Sequence, residues 1–168
     1  AGLTEVIIPD NVIAIDLRAF QECKELETVV IGDGVTTVAD KVFYDCTALK
    51  NLTIGDSLTS YPENFLKLQD KKESDYIPDD WLHIEKLTVG DGLTALPAEV
   101  IKREYLKEIV IGDGITEIAA YQFRSFSKLE KVVLGDNIRA IGTEAFYRCT
   151  ALNELELPAN LEAVGNRA

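Results

Sequence analysis

Six aspartates recur at one position of a repeated pattern, and their carboxylates are the first groups that suggest chemistry. They are Asp10, Asp33, Asp56, Asp91, Asp113 and Asp136. Hard cations favour rows of carboxylate oxygens, so such a column is a candidate for binding Ca²⁺. One aspartate per repeat supplies few ligands, however, and an aspartate at a tight turn commonly bonds the backbone N–H groups of that turn. We expect the turn role and no metal site, with Ca²⁺ binding as the alternative.

The three cysteines also recur at one repeat position, and Phe126 takes the same position in another repeat. Cys23, Cys46 and Cys149 lack the Cys-x-x-Cys spacing of metal sites. A position shared with phenylalanine indicates packing, because free cysteine is among the most buried residue types. Cys23 and Cys46 lie in adjacent repeats, so a disulfide between them is the alternative. We expect buried free thiols.

The sequence shows no catalytic constellation. Its one histidine, His83, lies in an irregular segment, and neither a Ser/His/Asp nor a Cys/His pairing is suggested. The phosphate-cradling Gly-x-x-x-x-Gly-Lys motif is missing as well. We therefore predict a protein that is not an enzyme and needs no cofactor.

Net charge and hydropathy limit the kinds of partner that this chain can have. The net charge is −12 with a pI of about 4.5, which argues against nucleic acid or an anionic membrane as the main partner. The longest apolar stretches are strand-sized, so we expect no direct membrane insertion of this chain.

A repeating apolar frame predicts the elements that position these residues. Each repeat starts with an aliphatic residue: Leu3, Leu26, Leu49, Ile84, Leu106, Leu129 and Leu152. The starts are 22 or 23 residues apart, except for 35 between Leu49 and Ile84. A period in this range marks a leucine-rich repeat solenoid. We predict a single solenoid over residues 1–168, with about seven coils starting at 3, 26, 49, 84, 106, 129 and 152.

Each coil reads as a strand, a turn, a short extended segment and a second turn. Apolar residues three and five places after the start give strand alternation, and such strands stack into a parallel sheet. Phenylalanine and cysteine then stand three residues apart, as in Phe43 and Cys46, which suits one face of a helical turn. The predicted fold class is an α/β repeat solenoid with a parallel sheet on one face and short helical turns opposite.

The segment from Leu129 to Cys149 carries a family resemblance. Gly135-Asp136 follows its strand, and Phe146 precedes Cys149 by three residues. This pattern resembles the BspA-like class of leucine-rich repeat, and the likeness covers nearly the whole chain. The resemblance implies a surface-exposed or secreted protein, because members of this class are bacterial and protozoan surface proteins, several of them linked to adhesion. We also expect the chain to be part of a longer protein, since neither end shows a polar capping unit.

The solvent side of the predicted sheet is one candidate binding surface. The fourth place after each start is β-branched in Ile7, Val30, Thr53, Thr88, Val110 and Val133. We predict Val30, Thr53, Thr88, Val110 and Val133 as binding residues, with simple strand propensity as the alternative. The first and second places carry charges of alternating sign, which we interpret as a ladder of cross-strand pairs that fixes register.

The twelve extra residues of the third coil are the second candidate. They fall in an insertion loop at about 70–83, which holds Tyr76, Trp81 and His83. Insertions in solenoids map to loops, often on a binding face, and Trp and Tyr are enriched in binding hot spots. In the alternative, these residues fold back to cover a degenerate neighbouring coil.

Taken together, the sequence favours an interaction module. We expect a non-enzymatic protein- or glycan-binding part of a cell-surface or secreted protein, such as an adhesin. The alternative is a structural spacer without a ligand of its own.

Overall fold

The computed structural model describes residues 2–68, 82–98 and 100–168. Twelve strands occur within this part of the chain. In chain order they are β1 (Glu5–Ile8), β2 (Ala14–Ile15), β3 (Thr28–Ile31), β4 (Thr37–Val38), β5 (Asn51–Ile54), β6 (Lys86–Val89), β7 (Glu108–Ile111), β8 (Glu117–Ile118), β9 (Lys131–Val133), β10 (Ala140–Ile141), β11 (Glu154–Glu156) and β12 (Ala163–Val164).

One parallel sheet runs along the whole solenoid. Its seven strands lie in the order β1-β3-β5-β6-β7-β9-β11. Equivalent residues of neighbouring coils pair with each other, as Glu5 does with Thr28 and Asn51 with Lys86. The five short strands form two smaller parallel sheets, β12-β10-β8 and β2-β4. The predicted parallel-sheet solenoid is therefore the observed fold.

Strand alternation decides which side chains enter the core. In β3 the inward residues Val29 and Ile31 are buried, while Thr28 and Val30, which alternate with them, are half-buried. Leu26, which starts this coil two residues before β3, is also fully buried. Each inward residue removes its apolar surface from water by packing on the same residue of the next coil, which is the main stabilising term.

The predicted helical turns are wrong: no helix forms among the described residues. In four of the coils two residues, four places apart, adopt the left-handed region, as Lys41 (φ 55°) and Asp45 (φ 62°) do in the second coil. A left-handed residue cannot continue a right-handed helix. N–H groups on this side instead donate between coils, from Phe20 to the Val42 carbonyl at 3.0 Å.

Phenylalanine and cysteine nevertheless reach the core from this side, which we call the turn side. Phe43 and Cys46 are buried, because a hydrogen-bonded tight turn also brings residues three apart together, here from Cys46 N–H to the Phe43 carbonyl at 3.1 Å. The rings form a column, with Phe20 and Phe43 stacked at 5.9 Å between centroids. All three cysteines are free, as expected, but only Cys46 is buried, while Cys23 and Cys149 are half-buried. The Cys46 thiol donates to the Phe20 carbonyl at 3.1 Å.

Glycine after each strand serves a close approach between coils. No described glycine has a positive φ, so backbone conformation alone does not require it. A Cβ added at Gly135 would lie 2.6 Å from the Gly112 carbonyl oxygen. The absence of a side chain thus lets successive coils stack at backbone distance.

Candidate binding face

Six β-branched residues form a single row across the outer face of the seven-stranded sheet. This β-branched row consists of Ile7, Val30, Thr53, Thr88, Val110 and Val133. Strand register pairs each member directly with the next. Ile7 and Val133 are exposed, and the four residues between them are half-buried. The structure therefore brings five of the predicted binding residues together into one continuous line.

Charged residues flank this row and pair across neighbouring strands, which confirms the predicted ladder. The pairs are Glu85 with Lys107 at 2.7 Å, Lys86 with Glu108 at 3.2 Å, and Lys131 with Glu154 at 3.1 Å. Each joins residues at the same place of adjacent coils, so the pairs match the strand register. Exposed pairs of this kind add little stability, and their main effect is on register and on the potential at the surface.

Hydrogen bonding keeps these groups ionised. The bond from Lys107 holds the pKa of the Glu85 carboxyl below its usual range, and the same bond raises the pKa of Lys107. The bond with Glu154 likewise raises the pKa of Lys131. Because a carboxyl with a lowered pKa and an ammonium with a raised pKa both stay charged near neutrality, the face keeps its charges over the physiological range.

The second place of the coil differs between the two halves of the face. On β3 and β5 it carries neutral groups, and the Asn51 amide donates to the Thr28 hydroxyl at 3.0 Å, while the first place of these coils carries Glu27 and Lys50. From β6 onward, which we call the charged half, the two places carry the ion pairs. Shallow depressions follow the charged half, two of them lined by both Lys131 and Glu154. A partner would meet neutral groups at the second place of β3 and β5 and ion pairs from β6 onward.

His83 is the last residue of the third coil. Its half-buried ring stacks on Tyr105 with 4.2 Å between ring centroids, directly before the buried Ile84. Tyr105 occupies the same place in the next coil, just before Leu106, so His83 follows the repeat frame. Tyr76 and Trp81, the other predicted residues of the insertion, lie outside the described residues, and their role stays a prediction.

The aspartate column forms a ladder of hydrogen bonds between coils. Asp33 donates its N–H to the Asp10 carboxylate at 3.0 Å, and Asp136 donates to Asp113 at 2.7 Å. Three further bonds of this kind join the intervening coils. The expected bonds within each turn are thus replaced by bonds to the next coil, because equivalent residues stack one above another. Within the described parts of the chain, no three His, Cys, Asp or Glu residues cluster so as to hold a metal ion.

A cluster of aromatic and basic residues on the turn side was not predicted from the sequence. There the Arg124 guanidinium lies 5.6 Å from the Tyr121 ring centroid and 5.7 Å from that of Tyr147. The Arg148 guanidinium also lies over the Tyr147 ring, 5.3 Å from the ring centroid. The repeat frame could have indicated this contact, because Arg124 and Tyr147 stand at the same place in the adjacent coils that start at 106 and 129, and residues at the same place stack on each other.

Comparison with known families identifies the repeat. The model of the BspA type leucine rich repeat region matches residues 1–88 and 74–168, with six copies. No curated protein matches the chain. In the residues that the structure describes, no helix has the length and apolar character needed to cross a membrane.

Solved structures with the same architecture cover most of this chain. A leucine-rich repeat protein from Eubacterium ventriosum matches with a TM-score of 0.56 and 24% identity, over 96% of this chain and 41% of its own. The pneumococcal vaccine antigen PcpA matches at 0.46 and 20%, over 97% and 47%. A leucine rich cell surface protein from Faecalibacterium prausnitzii matches at 0.43 and 26%, over 98% and 44%. The chain therefore spans less than half of the length of each of these three proteins.

Proposed function

This chain belongs to the BspA-type leucine-rich repeat family, and from that premise we propose that it is a non-enzymatic binding module of a cell-surface or secreted protein. The proposed partner is a protein, and the proposed docking surface is the outer face of the seven-stranded sheet. The observation that carries the proposal is the β-branched row, whose members stand in register on six neighbouring strands.

Three physical properties suit this face to a protein partner. Partly exposed β-branched side chains in a continuous line, four aliphatic and two threonines, supply methyl groups that association can remove from water. The strands already hold these side chains in place, so little conformational freedom is lost on binding. The ion pairs of the charged half supply a fixed pattern of potential, which governs orientation and the choice of partner.

The insertion belongs to the proposal as an untested contributor. Tyr76 and Trp81 are the kinds of side chain that anchor interfaces, and we propose that they extend the contact made by the sheet face. Replacing both with alanine weakens binding if this is so, and leaves it unchanged if the insertion only covers the neighbouring coil.

A structural spacer is the second candidate. The aspartate ladder joins the first six coils to one another, stacked phenylalanines join the first coil to the second and the fifth to the sixth, and such joints suit a stiff rod. A spacer needs no ligand, so the two candidates differ in a binding experiment.

The experiment screens the immobilised chain against purified extracellular proteins and measures the best binder with two variants. Val110→Glu places a charge in the middle of the β-branched row, where Glu156 shows that β11 accepts this side chain. Ile13→Glu makes the same kind of change at a residue that is 61% exposed and outside the row. We expect Val110→Glu to weaken binding about tenfold or more and Ile13→Glu to leave it unchanged. Equal effects would assign binding to another surface, and a screen without any binder would favour the spacer.

A further inference from the structure

Four cations gather on the turn side of three consecutive coils, although the chain as a whole carries a charge of −12. They are Lys102, Arg103, Arg124 and Arg148, which we call the basic patch. Lys102 and Arg124 stand eighteen places after their coil starts at 84 and 106, and Arg103 and Arg148 stand nineteen places after starts at 84 and 129. The patch lies on the side of the coils opposite the sheet, so it is separate from the proposed protein-binding face.

Neighbouring side chains hold Arg124 in a defined position. Tyr121 and Tyr147 contact its guanidinium as cation–π partners, and its Nε pairs with the Glu144 carboxylate at 3.1 Å. The Arg124 side chain is still 49% exposed, and among the described residues its two terminal amino groups donate to no side chain. An arginine fixed in this way presents a planar pair of donors that matches the oxygens of a carboxylate or a sulfate.

A shallow depression next to Arg124 completes the surface. Its lining consists of Ile101, Lys102, Arg103, Glu104, Gln122, Arg124 and Phe126. Five of these seven side chains are polar or charged, and the two apolar ones, Ile101 and Phe126, are buried. The depression therefore offers no apolar anchor site of the kind that dominates protein–protein interfaces. It offers cations together with groups that bond hydroxyls.

The fold itself does not require cations at these places. In the first two coils, the residue nineteen places after the start is acidic, Glu22 or Asp45, and it has the same left-handed backbone as Arg148. Since acidic, neutral and basic residues (Asp45, Ser125 and Arg148) all fit this backbone, the fold leaves the cations of the patch unexplained. Binding of an anion would explain them.

We propose that the basic patch is a second binding site, specific for an acidic glycan. Carboxylates or sulfates of the glycan accept hydrogen bonds from Arg124, and Lys102 supplies further positive charge. Arg103 donates its Nε–H to the Glu104 carboxylate at 2.9 Å, so this pair, together with Gln122, lines the depression with groups that bond sugar hydroxyls. This inference does not depend on the sheet-face proposal, because the two surfaces share no residue.

The test measures binding of three polymers to the folded chain by calorimetry at low and physiological salt. Heparin represents a sulfated glycan, polygalacturonate a carboxylated one, and poly-glutamate an acidic polypeptide. We expect at least one glycan to bind more tightly than poly-glutamate does, and its binding to weaken as salt rises. Binding of poly-glutamate as tightly as the tighter-binding of the two glycans would overturn the glycan assignment, and binding of no polymer would overturn the site.

Variants locate the site. Arg124→Gln removes the fixed donor pair and is expected to weaken glycan binding about tenfold, because charge-assisted hydrogen bonds are lost. Arg124→Lys keeps the charge without the planar pair and should fall between the wild type and Arg124→Gln. Lys41→Gln is the matched control, since Lys41 lies over Tyr44 at 5.1 Å on the turn side of the second coil and is outside the patch. Circular dichroism checks that each variant is folded, and equal losses for Arg124→Gln and Lys41→Gln would contradict the proposal.

Discussion

The inner coils and the two terminal coils carry the same apolar frame but bury it to different extents. Leu26 and Leu129, which start inner coils, are fully buried, whereas Leu3 of the first coil is 48% exposed. At the other end, Leu157 of β11's coil is 56% exposed. The residue types match, so the difference comes from the number of neighbouring coils. Burial of a side chain in this fold therefore depends on how many coils stack against its own coil, and not on its residue type alone.

The largest test of this comparison concerns the phenylalanine column. Phe123 is fully buried and stacks on Phe146 with 5.3 Å between ring centroids. Phe123→Ala should lower the free energy of unfolding by about 3–5 kcal/mol, because it leaves a cavity in the stack. Phe20 in the first coil is half-buried and stacks on one ring, so Phe20→Ala should cost about half as much. Denaturant unfolding followed by circular dichroism measures both, and equal losses would show that stack position does not matter.

A second test uses pH and the cysteines. Burial, followed by the proximity of Cys23, raises the pKa of the Cys46 thiol from 9.0 to about 12. The folded state thus favours the protonated thiol, so its contribution is complete below pH 9 and is lost as the pH rises toward 12. Stability should fall by about 1.4 kcal/mol per pH unit in that window from this group alone.

The control for this test is Cys46→Ala, which shares every other titration. Unfolding free energies of both proteins at pH 8, 9 and 10 should converge as the pH rises, and parallel curves would rule out the effect. Alkylation with iodoacetamide adds a comparison between coils. Cys23 in the first coil is half-buried, while Cys46 is buried, so we expect Cys23 to react first.

The smallest expected effect concerns the aspartate ladder. The Asp113 carboxylate accepts the N–H of Asp136 at 2.7 Å, whereas none of the described residues, Ala159 of the last coil included, donates to the Asp136 carboxylate. Asp113→Ala should therefore lower stability by about 1 kcal/mol, and Asp136→Ala by less than about 0.5 kcal/mol. Thermal melts compare the two, and Asp113→Asn, which keeps an acceptor oxygen, should recover much of the loss. A larger effect at Asp136 would mean that the ladder is not what stabilises these turns.

Much of the architecture could be predicted from residue patterns because each coil repeats a local rule. Strand alternation alone places Val29 and Ile31 inside and Val30 outside. The three-residue spacing of Phe43 and Cys46 correctly indicates that both are buried, but the same spacing fits a helical turn and a tight turn equally well. The helical prediction failed because spacing does not reveal a left-handed residue such as Lys41.

The two candidate surfaces also differ in how far the sequence predicts them. The β-branched row follows from one position of the frame, and the register of the sheet then aligns it. Arg124 could not be recognised as a held cation, because Glu144 and Tyr147 belong to the next coil and reach it only after the coils have stacked. The aspartates were identified as a column, yet the partner of each carboxylate was assigned to its own turn.

The sequence by itself determined the repeat, the strands and the identity of the side chains that avoid water, since these depend on residue type and local spacing. The tertiary structure alone decided where the backbone N–H groups and carboxylates find their partners. On the turn side some N–H groups bond to the next coil, as Phe20 does to Val42, while others close a tight turn three residues back, as Cys46 does to Phe43. The physical reason is that a partner some 23 residues away lies at bonding distance only after the coils have stacked, when left-handed residues have turned each N–H toward its neighbour.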